Sequence, residues 1–218
     1  MPAHFVSKKD ESVRLFRSDF LEFFSRVHPS VPVIIFLPAI AVLFYLGVAG
    51  GLSVLAAGLL FGAGLLAWTL TEYLIHRYAF HFEPRGKVTR RLFYLFHGVH
   101  HDYPNDSRRL VMPPAVSVPL ACLFYAGFFL LLGRPRADAY FAGFLAGYLA
   151  YDMLHYAIHH YPWKTGAGLF LRQHHYRHHF QDAEHGFGVS SPLWDYVFRT
   201  MPAAKREAVP AGREETEV

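Results

Sequence analysis

The chain has 218 residues and a mass of 24.9 kDa, with 53% hydrophobic residues, only 17% charged residues and a formal net charge of +4. Its mean hydropathy of +0.17 exceeds that of ordinary soluble domains, and residues 27–71 contain no Asp, Glu, Lys or Arg, about twice the roughly 20 apolar residues that cross a bilayer as helix. A soluble globular protein is excluded; because Cys122 is the single cysteine, so are an intrachain disulfide and a cysteine-ligated zinc.

Residues 1–30 read as a cytosolic arm, since Asp10, Glu11, Asp19 and Glu22 interrupt any signal-peptide core. Within the arm, Val13, Phe16, Phe20, Phe24 and Val27 mark the apolar stripe of an amphipathic helix over 12–27, suited to the membrane interface. Gly50-Gly51 permits a tight reversal and divides the charge-free stretch into spans near 31–47 and 52–76, with Pro32 and Pro38 in the early turns of the first. A third span fits 114–133, and Pro104 and Pro113-Pro114 make its approach extended rather than helical; a fourth fits 138–159. Residues 31–202 thus form a membrane domain, and 203–218, rich in Ala, Pro, Glu and Arg, a disordered tail. Of the 21 Lys and Arg residues, only Arg134 and Arg136 fall between the third and fourth spans, and none between the first and second. The positive-inside rule therefore puts both termini and residues 77–112 in the cytoplasm. The expected fold is all-α and integral to the membrane: four transmembrane helices beneath a cytosolic helical cap.

Fifteen histidines are the anomaly of the composition. Ten fall in four groups: His76 and His81; His97, His100 and His101; His155 and His159; and His175, His178 and His179. Residues three and four apart share a helix face, so each HxxHH group, and HxxxH, is expected to point its imidazoles one way. His76 and His81, five apart, need a helix end or a distortion to converge. All four groups lie at span ends or in the segments assigned to one side of the membrane. Neutral imidazole binds zinc, iron, copper or nickel, and ten ligands exceed one coordination sphere, so two ions are expected. Glu72 and Asp152 each precede a clustered histidine by about one turn, where a carboxylate can accept the distal N–H of a metal-bound imidazole or pair with an arginine such as Arg77. His4 and His28 read as ordinary residues, and His160, His174 and His185 adjoin the clusters outside the repeated spacing.

The ordered set HxxxxH, HxxHH, HxxxH, HxxHH resembles the integral-membrane fatty acid hydroxylase superfamily. HGVHHDYPNDSRRLVMPP, YDMLHY and GFGVSSPLWDYVF are similar to stretches of its fatty acid 2-hydroxylase branch, over about residues 70–200. The resemblance implies metal binding by all ten clustered histidines; Glu72, Tyr151 and Asp152 are the candidates to support them from behind. It also implies O2-dependent hydroxylation of a fatty acyl chain at C2 by two iron ions, for which zinc can substitute in purified protein. A cytochrome b5-like domain, carried by many relatives, is not expected here, since His28-Pro29-Ser30 is no haem-binding HPGG. A sterol or carotenoid oxidase of the same superfamily is the nearest rival. A membrane metal transporter is the rival from another class, disfavoured because the histidines avoid the bilayer midplane. The chain shows no CxxCH, HPGG or GxGxxG, so electrons are expected from a separate cytochrome b5-like protein or a ferredoxin with its reductase. Arg85, Lys87, Arg90, Arg91, Arg108 and Arg109 supply a basic face either for that carrier or for anionic lipid.

Overall fold

The computed structural model describes residues 5–203, which form helices and their connections without a strand. After a short helix α1 (Asp19–Phe24), α2 (Ser30–Ala49) runs 20 residues, which at about 1.5 Å each reach the ~30 Å of a bilayer core. Gly51, at φ 105°, turns the chain back. Ser53 then caps α3 (Val54–Leu74), its Oγ accepting from Ala56 N at 3.2 Å. A π-helical turn (Ile75–Phe80) extends α3, and α4 (Lys87–Phe93), a second π-helical turn (Tyr94–Gly98) and α5 (Val99–Asp102) follow. Residues 103–113 are turns and bends, in keeping with Pro104 and Pro113. The remaining helices are α6 (Pro114–Leu132), α7 (Arg136–His160), α8 (Gly166–Phe180) and α9 (Leu193–Val197).

Among the described residues, three helical stretches are long and apolar enough to cross a membrane: Ser30–Ala49, Val54–Phe80 and Pro114–Leu132. Residues 138–159, expected as a fourth span, lie within the 25-residue α7, whose Asp138, Asp152, His155, His159 and four tyrosines make it too polar to count with the others. The reason is its place in the bundle. Helices α2, α3 and α6 pack around α7, sixteen of whose residues are buried. Asp138, fully buried near its start, accepts from Tyr125 Oη at 2.6 Å and Arg134 Nε at 2.7 Å, which offsets the cost of a carboxylate there.

Aromatic rings set edge to face fill the space between these helices: Trp68 meets Phe144 at 5.2 Å and Tyr148 at 5.3 Å, and Phe36 meets Tyr148 at 5.1 Å. Where α3 crosses α7, the backbones touch. A Cβ on Gly64 would lie 1.9 Å from Tyr140 O, and one on Gly143 1.8 Å from Phe61 O, so only glycine fits at either position. That crossing fixes how the π-helical extension of α3, which carries His76, and the end of α7, which carries His155 and His159, face each other.

The amphipathic helix expected over 12–27 shrinks to α1. Ahead of it the chain is drawn out along residues 102–109: Val6 N and Ser7 N donate to Asp102 O, Asn105 Nδ2 to Lys8 O, Ser107 N to Asp10 Oδ1, and Arg109 to Val13 O. Glu22 is the centre of this strap. Its buried carboxylate accepts from Leu15 N (2.9 Å), Phe16 N (3.0 Å) and Arg109 (2.7 Å), and these backbone donors are the ones a longer helix would have used internally. Arg109 is thus committed inside the fold and does not belong to a free basic face; Arg85, Lys87, Arg90, Arg91 and Arg108 are exposed, although Arg91 also donates to Leu15 O. His4 and nearly all of the tail expected over 203–218 lie outside the described residues.

Candidate metal centre

The distortion demanded by the His76–His81 spacing is the π-helical turn that prolongs α3. In a π turn residues five apart come into register, and the two imidazoles lie with centroids 5.1 Å apart. The second π-helical turn carries His97 into α5, where His100 and His101 follow; His155 and His159 end α7; His175, His178 and His179 end α8.

All ten histidines converge, but in a partition the spacing did not announce. One group holds His76, His81, His97, His101 and His178; the other holds His100, His155, His159, His175 and His179. Each HxxHH gives its outer pair, four apart, to one group and its middle residue to the other. The reading that every HxxHH points one way is therefore corrected: residues three and four apart lie on opposite sides of the helix face, and each helix end is wedged between two centres. His160, His174 and His185 join neither group. His160 stacks on Tyr156, His174 bonds Asp195 at 3.0 Å, and His185 bonds Asp182 at 2.8 Å.

Within each group the ring nitrogens face inward and lie within 4.8 Å of one another. The Nε2–Nε2 separations are 3.1 Å for His76–His97, 3.0 Å for His97–His101 and 3.0 Å for His81–His178. In the second group they are 2.9 Å for His100–His155 and 3.1, 3.1 and 3.0 Å from His175 to His155, His159 and His179. His175 Nε2 thus faces three other nitrogens, and a single N–H cannot satisfy three acceptors. Two imidazole nitrogens about 2.1 Å from one ion and at right angles lie about 3.0 Å apart, which is the spacing seen. Five inward lone pairs per group fit a cation, and an all-nitrogen set suits iron, zinc, copper or nickel rather than magnesium or calcium.

The first group is oriented from behind by backbone carbonyls. His76 Nδ1 donates to Phe187 O at 2.6 Å and His178 Nδ1 to His185 O at 2.8 Å, which fixes the tautomer that leaves Nε2 free as a ligand. Among the described residues, neither Glu72 nor Asp152 hydrogen-bonds a clustered histidine. Glu72 accepts from Val189 N (2.7 Å), Ser190 N (2.8 Å) and Ser190 Oγ, pinning the loop that carries Phe187 O; among the described residues it pairs with no arginine. Asp195 fastens the same loop, accepting from Phe187 N (3.0 Å), Gly188 N (2.8 Å) and Thr200 Oγ1 (2.7 Å). The sequence could not assign these orienting groups, because main-chain carbonyls have no residue signature; Asp195 was visible only as part of GFGVSSPLWDYVF.

An apolar cavity of about 350 Å³ leads to the histidines. Leu15, Phe16, Leu21 and Phe24 of the strap form one wall, Leu92 and Phe96 another, and His97, His100 and His155 border it, so both groups are reached. Tyr151, whose ring stacks on His155 at 5.7 Å, and Asp152 also line it.

The sequence model for the family described as fatty acid hydroxylase matches residues 61–200. The chain belongs to the fatty acid hydroxylase family. It is 38% identical over 199 residues to a dihydroceramide fatty acyl 2-hydroxylase of Arabidopsis thaliana, covering 91% of this chain and 84% of that one. It is also 38% identical over 211 residues to the fatty acid 2-hydroxylase of Rattus norvegicus, covering 87% of this chain and 56% of that one. A solved structure of full-length scs7p, in which only the hydroxylase domain is visible, superposes with a TM-score of 0.79 at 38% identity, covering 85% of this chain and 72% of that one.

For this hydroxylase the burial of its imidazoles makes stability depend on pH. Desolvation pushes His81 down to about 4 and His101 to about 3, and it lowers His97, His100, His175, His178 and His179 with help from neighbouring imidazoles. Unfolded imidazoles titrate near 6.5, so below that pH the unfolded chain binds more protons, and each such histidine removes about 1.4 kcal/mol of stability per pH unit. A bound ion acts in the same direction, since its ligands must be unprotonated. The thermal midpoint of the detergent-solubilised hydroxylase should therefore fall steeply from pH 7 to pH 5; a midpoint that is flat or rises on acidification contradicts the buried-neutral assignment.

Proposed function

We propose that this chain is an oxidoreductase that hydroxylates a fatty acyl chain at C2, consuming O2, in sphingolipid metabolism. The observation that carries this reading is the apolar cavity that ends on His97 of one histidine group and on His100 and His155 of the other. Breaking an unactivated C–H bond is beyond side-chain acid–base chemistry, and two iron ions, one per group, supply the redox chemistry when bound. Zinc fits the same nitrogens and can replace iron there in purified protein. The ten clustered histidines are the ligands. The residues around them do the remaining work: the cavity walls hold the methylene chain and exclude water, Tyr151 backs the ring of His155, and the Glu72 and Asp195 loop holds His76 and His178 in their ligating tautomer.

The reaction, C–H + O2 + 2 electrons + 2 protons giving C–OH + H2O, needs electrons from outside the substrate. A cytochrome b5-like protein or a ferredoxin with its reductase is the proposed donor. In this reading α7 is the fourth membrane helix, and α4, α5, α8 and α9 with the strap form a cap on the cytoplasmic side, where both termini lie, as the distribution of Lys and Arg favours. The amide-linked acyl chain of a dihydroceramide, the substrate in the name of the Arabidopsis relative, is the proposed substrate class.

Mass spectrometry of lipids from cells expressing the chain tests the reading. Acyl chains one oxygen heavier, with the hydroxyl at C2, should appear with the wild type and be absent with His178→Ala. Hydroxylation at another carbon, of a sterol, or of nothing overturns it.

A further inference from the structure

A polar cleft of about 640 Å³ opens on the other side of α1 from the apolar cavity, where the strap meets residues 107–108 and the start of α2. None of the ten clustered histidines lines it. Its two carboxylates are already neutralised: Asp19 by Arg14, and Glu22 by Arg26 and Arg109, each at 2.7 Å. What the cleft still offers is donors. Arg108 is exposed and has no ionic partner among the described residues, yet its main chain is pinned on both sides: its N–H donates to Asp106 Oδ1 at 3.1 Å and its carbonyl accepts from Val27 N at 2.8 Å. Arg26 keeps a buried Nε–H without a partner, and no group among the described residues engages the hydroxyls of Ser107 and Tyr156. Pro29 lines the cleft and the apolar α2 starts at Ser30, so these donors lie at the end of a membrane-crossing stretch, at the depth of lipid head groups.

We infer that this cleft binds the phosphate of a membrane phospholipid, Arg108 holding its two anionic oxygens while Arg26 Nε, Ser107 Oγ and Tyr156 Oη donate around them. A guanidinium fork matches two phosphate oxygens, and one unpaired positive charge balances the single negative charge of a phosphodiester. The acyl chains run out past Phe23, which lines the cleft and is 73% exposed, into the bilayer. A phosphate here joins the strap to the 107–108 turn and to α7, which carries Tyr156, so the lipid stabilises the fold. The site lies apart from the metal centre and holds whether or not the chain hydroxylates. A soluble phosphate offers the same oxygens without the tails.

Native mass spectrometry of the full, metal-loaded chain, delipidated in detergent, tests the site. The probes are dioleoyl phosphatidylglycerol, dioleoylglycerol, which has the tails without the phosphate, and inorganic phosphate, which has no tails. Wild type should bind phosphatidylglycerol about tenfold or more tighter than dioleoylglycerol, as hydrogen bonds to a charged group provide, and its thermal midpoint should rise with that lipid. Arg108→Gln should abolish the preference and Arg108→Lys, which keeps the charge without the fork, retain part of it. Arg136→Gln, equal in charge change but at the opposite end of α7 from Tyr156, should leave it intact. If Arg108→Gln loses metal or melts early, Tyr156→Phe decides: a severalfold loss supports the site, and no loss overturns it. Inorganic phosphate that binds as tightly as the lipid overturns the lipid in favour of a soluble phosphate. Equal binding of the two lipids, a preference that survives Arg108→Gln, or one that Arg136→Gln also abolishes overturns the site altogether.

Discussion

His100→Ala and His101→Ala, neighbours in sequence, are expected to empty different sites. His100 Nε2 lies 2.9 Å from His155 Nε2 in one group, whereas His101 Nε2 lies 3.0 Å from His97 Nε2 in the other. Each variant should lose one of two ions and retain the second, because the group that keeps all five nitrogens is undisturbed. Each should also lose at least about 100-fold in turnover, since mutating even the outer partners of metal ligands costs 10–100-fold. His28→Ala removes an exposed ring bonded only to Ser30 and serves as the control with unchanged metal and activity. Metal analysis of the purified variants decides: loss of both ions from either one, or of neither, contradicts the five-and-five partition.

The second large effect lies far from the metal. In Gly143→Ala the new methyl would sit 1.8 Å from Phe61 O, so α3 and α7 must separate along a crossing that Gly64 lines from the other side. Forcing atoms into so tight a contact costs typically 1–3 kcal/mol and here at least the upper value, about 10 °C in thermal midpoint for a chain of this size. Gly62→Ala is the matched comparison: it lies on α3, nothing stands within 4 Å of its added Cβ, and alanine is the better helix former by up to about 1 kcal/mol. A midpoint that drops for Gly143→Ala and holds or rises for Gly62→Ala supports close backbone contact. Equal shifts for the two contradict it.

How far the sequence could be read depended on whether the signal was local. The apolar stretches that became α2, α3 and α6 announced themselves by length and lack of charge, since membrane spans are set by composition along one segment, and the segment 138–159 became the more polar helix α7. The convergence of the ten histidines was legible from spacing, and the need for a distortion between His76 and His81 was met by the π-helical turn. What escaped was set by tertiary contacts. The HxxHH partition depends on which two centres flank the ends of α5 and α8. The strap is extended because Glu22 draws in Leu15 N and Phe16 N, and its apolar stripe faces a cavity wall as well as the surface. Glu72 and Asp152 were recognised as anomalous carboxylates, but Glu72 finds its partners at residues 189–190 and Asp152 faces Tyr148 and the Met112 main chain, neighbours that one-turn spacing to a histidine does not report.

The most direct test of the account is a mixture of purified, iron-loaded protein in the fully oxidised (ferric) state, a reduced one-electron carrier, an N-acyl sphingoid base and ¹⁸O2. The account predicts an acyl product carrying one ¹⁸O atom, located at C2 by fragmentation, and no product when the carrier is withheld. Oxygen drawn from water, a hydroxyl at another carbon, or equal turnover without the carrier would contradict it.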